Sequence, residues 1–235
     1  ATGHHVRRRC EADGSFSLLR AADPMKDQSY VLSVLNQQQL ARSLFPVGAY
    51  TKPELRDMAR QRSLPVADKQ ESMDLCFVAD DDHRRFLEDW SPSPAQAGPI
   101  VTMEGDAVGT HRGLHRYTIG QRRGLDIPIH SREPRYVIRK LPEENTLVIG
   151  SRSDLATLEF QVEETNWIRR PDSSDPDLTC QIRYRGQDIP CTLEETGDNG
   201  VKVHLREPQY GVAPGQAAVF YRGDECLGGG LIASA

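Results

Sequence analysis

The sequence predicts a multidomain chain: a helical first part, then a small mostly-β central part, then a C-terminal antiparallel β-barrel. Three observations carry this. Apolar stripes at helical spacing are confined to residues before Pro94. Short alternating segments separated by turn residues fill the rest. Ser91-Pro92-Ser93-Pro94 is a linker between the two regimes. The expected domains are residues 1–91, 92–153 and 154–235.

The elements follow in order. Val6–Arg20 reads as a hairpin turning at Asp13-Gly14. Asp27–Leu44 reads as the first helix, with Tyr30, Val31, Val34 and Leu35 in one stripe continued by Leu40 and Leu44. Phe45-Pro46-Val47-Gly48 stops it. The second helix starts at Thr51, with Pro53 in its first turn and Glu54 completing a capping box. Leu64–Ala67 reads as extended. A third helix runs through Arg84–Trp90.

Beyond the linker, Gly98–Thr102 and Asp106–Gly109 frame a turn at Glu104-Gly105, and Tyr136–Arg139 and Thr146–Ile149 flank a charged turn. The barrel strands are expected at Leu158–Glu163, Leu178–Tyr184, Gln187–Glu194, Val201–Leu205, Ala217–Tyr221 and Glu225–Ile232.

Composition narrows the class. An apolar fraction of 37% and a charged fraction of 27% suit a soluble, core-forming chain. No apolar run reaches the roughly 18–20 residues that span a bilayer. The net charge of -5 argues against a protein that coats nucleic acid non-specifically, but leaves room for a focused basic site. Five scattered cysteines make a poor disulfide framework and fit a reducing cytoplasm. No CxxC or HExxH supports a metal site. The chain begins without Met, in what reads as the end of a strand, so a piece of a longer protein is expected.

Three places carry candidate chemistry. The first is Gly109–Asp126, which holds His111, Arg112, His115, Arg116, Arg122 and Arg123 and no acid before its last residue. Arginine forks match phosphate geometry, Tyr117 offers a stacking face or an anchor, and Gly120 and Gly124 allow close backbone approach around Gln121. The bland alternative is a solvated loop pairing with the protein's own acids. Arg183, Arg185 and Lys202 extend the basic character onto the barrel.

The second is Lys26-Asp27-Gln28-Ser29, where Asp27 could cap the first helix and free N–H groups face an anion, or where a helix simply starts. The third is Cys76, either an inert core thiol between Leu75 and Phe77 or a thiol that carries a second sulfur as a persulfide. Cys10, Cys180, Cys191 and Cys226 read as non-catalytic.

Together these pieces resemble one family, the bacterial-type tRNA-specific 2-thiouridylases. The matching residues are Thr2-Gly3-His4, Lys26 to Tyr30, Leu44-Phe45-Pro46, Thr51 to Glu54 and Ser72 to Phe77. They continue with Gly109, His111, Gly113-Leu114 and Tyr117 to Leu125, then Arg183-Tyr184-Arg185, Pro214-Gly215-Gln216, Val219-Phe220-Tyr221 and Leu227 to Gly230. The set lies in the family's order and spans essentially the whole chain.

The resemblance implies that the helical part is the tail end of an α/β adenylating (PP-loop) domain. It implies a sulfurtransferase that replaces the 2-oxygen of the wobble uridine, using ATP with Mg2+ to activate that oxygen and a Cys76 persulfide to supply sulfur. Sulfur would pass directly, or as sulfide released when an earlier cysteine attacks the persulfide and leaves a transient catalytic disulfide. It places Gly3 and His4 at the ATP pocket. Lys26, Asp27, Gln28 and Ser29 are placed at the nucleotide and uridine pocket. His111, Arg112, Tyr117, Gln121, Arg122, Arg123, Arg183 and Arg185 are placed toward tRNA. The implied partners are tRNA and a sulfur-relay or cysteine desulfurase protein, with the protein a cytoplasmic monomer. The family's SGGxDS loop, first catalytic cysteine and nearby acid are not in the sequence. The 235-residue chain is therefore expected to bind tRNA but be inactive alone.

Two other readings stay open: a non-catalytic RNA-binding module, and a tRNA methyltransferase, although no glycine-rich strand-to-helix turn offers a methyl-donor site. A cysteine-dependent hydrolase has less support, because no Cys/His pair has a suitable spacing.

Overall fold

A computed structural model describes residues 1–65, 83–90, 95–125, 127, 133–173, 175–197 and 199–234. The chain divides into two compact units. The first joins residues 1–69 to residues 158–208 and 213–235; the second comprises residues 70–157 and 209–212.

In the first unit, the expected hairpin forms from β1 (Val6–Cys10) and β2 (Phe16–Arg20). Asp13 closes its turn by accepting from the Ser15 amide and hydroxyl, which lowers the Asp13 pKa. The single helix expected over Asp27–Leu44 is instead two short ones, α1 (Ser29–Leu32) and α2 (Gln37–Ala41). The break has a local cause. Asn36 takes extended backbone and forms a reciprocal capping box with Gln39, which starts a new helix in mid-stripe. The N-cap of α1 is Gln28, not Asp27. The next helix, α3 (Lys52–Gln61), begins with the expected Thr51–Glu54 box.

The rest of this unit is a closed antiparallel barrel. Its strands are β7 (Ala156–Trp167), β8 (Leu178–Gln181), β9 (Ile189–Glu195), β10 (Val201–Tyr210), β11 (Ala217–Arg222) and β12 (Glu225–Ser234). The order β12-β11-β8-β9-β10-β7 closes through a β12–β7 pairing. Inward positions alternate along the strands, as in Ile189, Cys191 and Leu193 of β9. Closure depends on Gly228-Gly229-Gly230. A Cβ at Gly228 would lie 2.1 Å from the Asn166 carbonyl oxygen of β7, and one at Gly229 2.5 Å from the Ala218 carbonyl oxygen of β11. Only hydrogen at these positions lets β12 fit between both neighbours.

The start of β12 also pairs with β2, Cys226 opposite Leu18, so the N-terminal hairpin extends the barrel sheet. Val6, Leu18 and Leu40 pack in one buried cluster with Ile168, Val219, Tyr221 and Cys226.

The second unit is built on a four-stranded sheet of order β4-β3-β6-β5. Its strands are β3 (Gly98–Val101), β4 (Ala107–His111), β5 (Tyr136–Leu141) and β6 (Thr146–Gly150), close to the expected bounds. β6 is flanked by parallel β3 and antiparallel β5 and is buried along its whole length, which explains its unbroken apolar run. α4 (His83–Trp90) appears where the third helix was expected. Residues 66–82 and 91–94, and with them Cys76 and the Ser91–Pro94 linker, lie outside the described residues.

Candidate functional site

In the first unit, the Lys26–Ser29 turn meets the barrel. Asp27 Oδ1 accepts the amides of Ala21 (2.8 Å) and Ser29 (3.3 Å), and Oδ2 accepts the Ser29 hydroxyl (2.6 Å). That bond uses the only Ser29 hydroxyl proton, so the 3.2 Å contact with Tyr221 is donated by the tyrosine. The result is a relay, Tyr221 to Ser29 to Asp27, with Ser29 and Tyr221 fully buried. Burial raises the Tyr221 pKa well above its usual value. The Cys226 thiol donates to the Ser29 carbonyl, and burial pushes its pKa up to about 12. Gln28 Oε1 accepts the His5 amide at 2.8 Å.

Asp27 of this turn lines a cleft of about 600 Å³ together with Met25, Tyr30, Tyr184 and Arg185. Tyr184 packs against Tyr30 with ring centroids 6.1 Å apart, and Arg185 donates to the Met25 carbonyl at 3.2 Å. Arg20 enters the cleft from β2, lies 3.8 Å over the Tyr221 ring and pairs with Asp188 at 2.6 Å. Thus Asp27 of the first motif and Tyr184 and Arg185 of the second, far apart in sequence, share one cleft. Lys26 is half-buried and Arg183 exposed. Sequence reasoning missed Arg20 and Tyr221. Neither lies in a pattern of polar residues that marks a site, and both gain their place through strand pairing.

Gly3 is exposed, and a Cβ there would meet nothing within 4 Å. His4 Nδ1 and the Thr2 hydroxyl share a hydrogen bond.

In the second unit, His111 is fully buried. Its Nδ1 accepts the Gly113 amide at 3.0 Å, so the proton sits on Nε2, which donates to the Asn145 carbonyl at 2.8 Å. Tyr117 is only 4% exposed and packs with Ile100, Leu125, Val137, Leu147 and Ile149. Of the two roles open to Tyr117, stacking face or anchor, this position fits the anchor.

Between the Tyr117 and Leu125 anchors, residues 118–124 form a compact loop. The Gly120 amide donates to the Val137 carbonyl at 2.8 Å, and the Val137 amide returns to the Gln121 carbonyl at 2.9 Å, pinning the loop to β5. The Gln121 side chain braces the loop internally. Its Oε1 accepts the Thr118 amide at 3.0 Å, and its Nε2 donates to the Arg123 carbonyl at 2.9 Å. Gly120 and Gly124 take positive φ of 85° and 72°, which this tight path requires. Arg122 and Arg123 are exposed, and neither side chain has an ion-pair or hydrogen-bond partner among the described residues. Arg112 is also exposed. Two adjacent fully charged guanidinium groups on a braced loop can take phosphate oxygens.

Among the described residues, no three His, Cys, Asp or Glu side chains gather as metal ligands. No helix among them is long and apolar enough to cross a membrane.

Three family models match in series: a tRNA methyl transferase HUP domain over residues 1–80, a tRNA methyl transferase PRC-barrel domain over 84–151, and an aminomethyltransferase beta-barrel domain over 157–232. A protein of Chloroflexus aurantiacus named tRNA-specific 2-thiouridylase MnmA is 46% identical over 237 residues, covering 99% of this chain and 65% of that protein. Proteins of the same name from Geobacter metallireducens and Shewanella putrefaciens are 45% and 43% identical, with 63% and 64% of their lengths covered. The chain thus spans just under two-thirds of these relatives.

Proposed function

We propose that this chain belongs to the same family as its relatives named tRNA-specific 2-thiouridylase, and that it forms the RNA-holding and sulfur-carrying part of an enzyme that thiolates the wobble uridine of tRNA. The observation that carries this reading is the extent of the match: 46% identity through 99% of the chain, across both β units and the segment holding Cys76.

Each part has a proposed role. Cys76 carries a persulfide whose outer sulfur ends on C2 of the uridine, with a sulfur-relay protein or cysteine desulfurase as donor. ATP, with Mg2+ on its phosphates, supplies the group that makes the uridine 2-oxygen leave, and Gly3 and His4 face its edge. Lys26 and the cleft beside Asp27 contribute a wall for the nucleotide and uridine, while Asp27, Gln28 and Ser29 fix that wall through the relay to Tyr221. Arg122 and Arg123 meet phosphates, joined by Arg112, Arg183 and Arg185. His111 and Tyr117 hold the arginine loop from within. The 235-residue chain alone is proposed to be inactive, because it carries no SGGxDS loop.

The test uses the full-length parent. Cys76→Ser is expected to reduce 2-thiouridine in nucleoside mass spectra to background while leaving tRNA affinity near that of the parent. Retained thiolation removes Cys76 from the mechanism. The descriptions of two matching family models favour one second reading, a methyltransferase. Supplying labelled methyl donor and labelled sulfur in one reaction separates the two, and the proposed function requires label from sulfur only.

A further inference from the structure

Gln121 belongs, in sequence terms, with the arginines beside it, as one more group reaching for RNA. Its bonds say otherwise. Both ends of its amide are bonded within the loop, to the Thr118 amide and the Arg123 carbonyl. Its main chain is bonded as well, to the Thr118 carbonyl and the Val137 amide. Both bonds together fix the plane and direction of the amide within the loop, with one N–H and one lone pair left over.

The brace spans the two arginines. Its Nε2 holds the carbonyl of Arg123, and Arg122 lies within the span. Fixing a residue's backbone removes conformational freedom. If the loop is already fixed in the free protein, that loss does not oppose binding.

We propose that Gln121 is a positioning residue. It holds Arg122 and Arg123 in a preformed pair for two neighbouring phosphodiesters of the RNA. This rests on tRNA being the partner. The pairing differs from a flexible basic tail, which reaches the same phosphates but must be ordered on contact.

The experiment uses the full-length protein and an unmodified tRNA transcript with uridine at the wobble position, and measures Kd across a salt series. R122A/R123A is expected to weaken binding and flatten the dependence of log K on log salt. Q121M keeps the side chain's length and removes both brace bonds. It is expected to weaken binding roughly five- to tenfold through lost preorganisation, while leaving the salt slope near that of the parent. Added to R122A/R123A, Q121M is expected to change Kd by less than about twofold, because it acts only through the arginines. Amide exchange at Gly120 and at position 121, whose N–H groups bond to the Val137 and Thr118 carbonyls, should be roughly tenfold faster or more in the free Q121M protein.

The outcomes separate the two ideas. If R122A/R123A leaves affinity and slope unchanged, the loop does not meet RNA, and the underlying reading of the loop fails along with the proposal. If the arginine variant weakens binding and Q121M does not, the positioning role alone is overturned. A full Q121M effect in the R122A/R123A background overturns it too, because Gln121 then acts on RNA directly. Unchanged amide exchange at both Gly120 and position 121 in Q121M does the same.

Discussion

Residues 26–29 and residues 118–124 are both short polar turns between apolar anchors, and the protein uses them in opposite ways. In the first, Asp27, Gln28 and Ser29 turn inward and bond to backbone amides and to a barrel tyrosine. In the second, the amide of Gln121 turns inward and the two arginines turn out. The difference follows from the partners available. Carboxylates, hydroxyls and amides can be satisfied by buried N–H and C=O groups. A pair of guanidinium groups without acids beside them stays in water until an anion arrives. Polar motifs of similar appearance can therefore hold a fold together or present a surface, and the test is whether their hydrogen bonds close within the chain.

Four measurements sharpen or break this contrast. The largest effect is expected for Tyr221→Ala, which removes a fully buried ring, the stacking of Arg20 and the donor to Ser29. It should destabilise the first unit by about 3–5 kcal/mol in denaturant unfolding. Next, Ser29→Ala strands the buried Tyr221 hydroxyl and should cost about 1–3 kcal/mol, with no change in the salt dependence of RNA binding. A normal Tm for this variant breaks the claim that residues 26–29 are structural. Third, the stability of R122A/R123A should stay within about 0.5 kcal/mol of the parent, the reverse of the Ser29 result. The smallest effect is local. Bonds from the Thr51 amide and hydroxyl lower the Glu54 pKa, so the box is intact at neutral pH. Its contribution is present above the unfolded pKa and is lost as pH falls through the folded value. Amide exchange in the first turn of α3 should accelerate only below about pH 4–5, with the 118–124 loop unaffected.

Much of this was legible in the chain. The barrel strands were found because alternating residues such as Ile189, Cys191 and Leu193 record one buried face. The box at Thr51 and Glu54 was found because its partners are three residues apart. The second box, Asn36 and Gln39, was overlooked inside an apolar stripe, so two helices were read as one. The inward turn of His111 was not legible, because its partner carbonyl at Asn145 is 34 residues away. The same holds for Ser29, whose tyrosine partner is 192 residues on. The exposure of Arg122 and Arg123 is legible because what marks it is local, a run of cations with no acid among them. The role of Cys76 stands on the sequence.

The pairing of β2 with β12 has a consequence for synthesis. Ser17 and Glu225, bonded across that seam, are 208 residues apart. A ribosome adding about 5–20 residues per second makes the hairpin roughly 10–40 s before its partner strand exists. During that interval Val6, Leu18 and Leu40 lack the barrel surface that covers them in the finished unit. The first unit must therefore mature after translation of its last strand, while the second, contiguous apart from four residues, can form much of its sheet on the way. During that interval the exposure of the nascent chain to chaperones and proteases includes the β1–β2 hairpin.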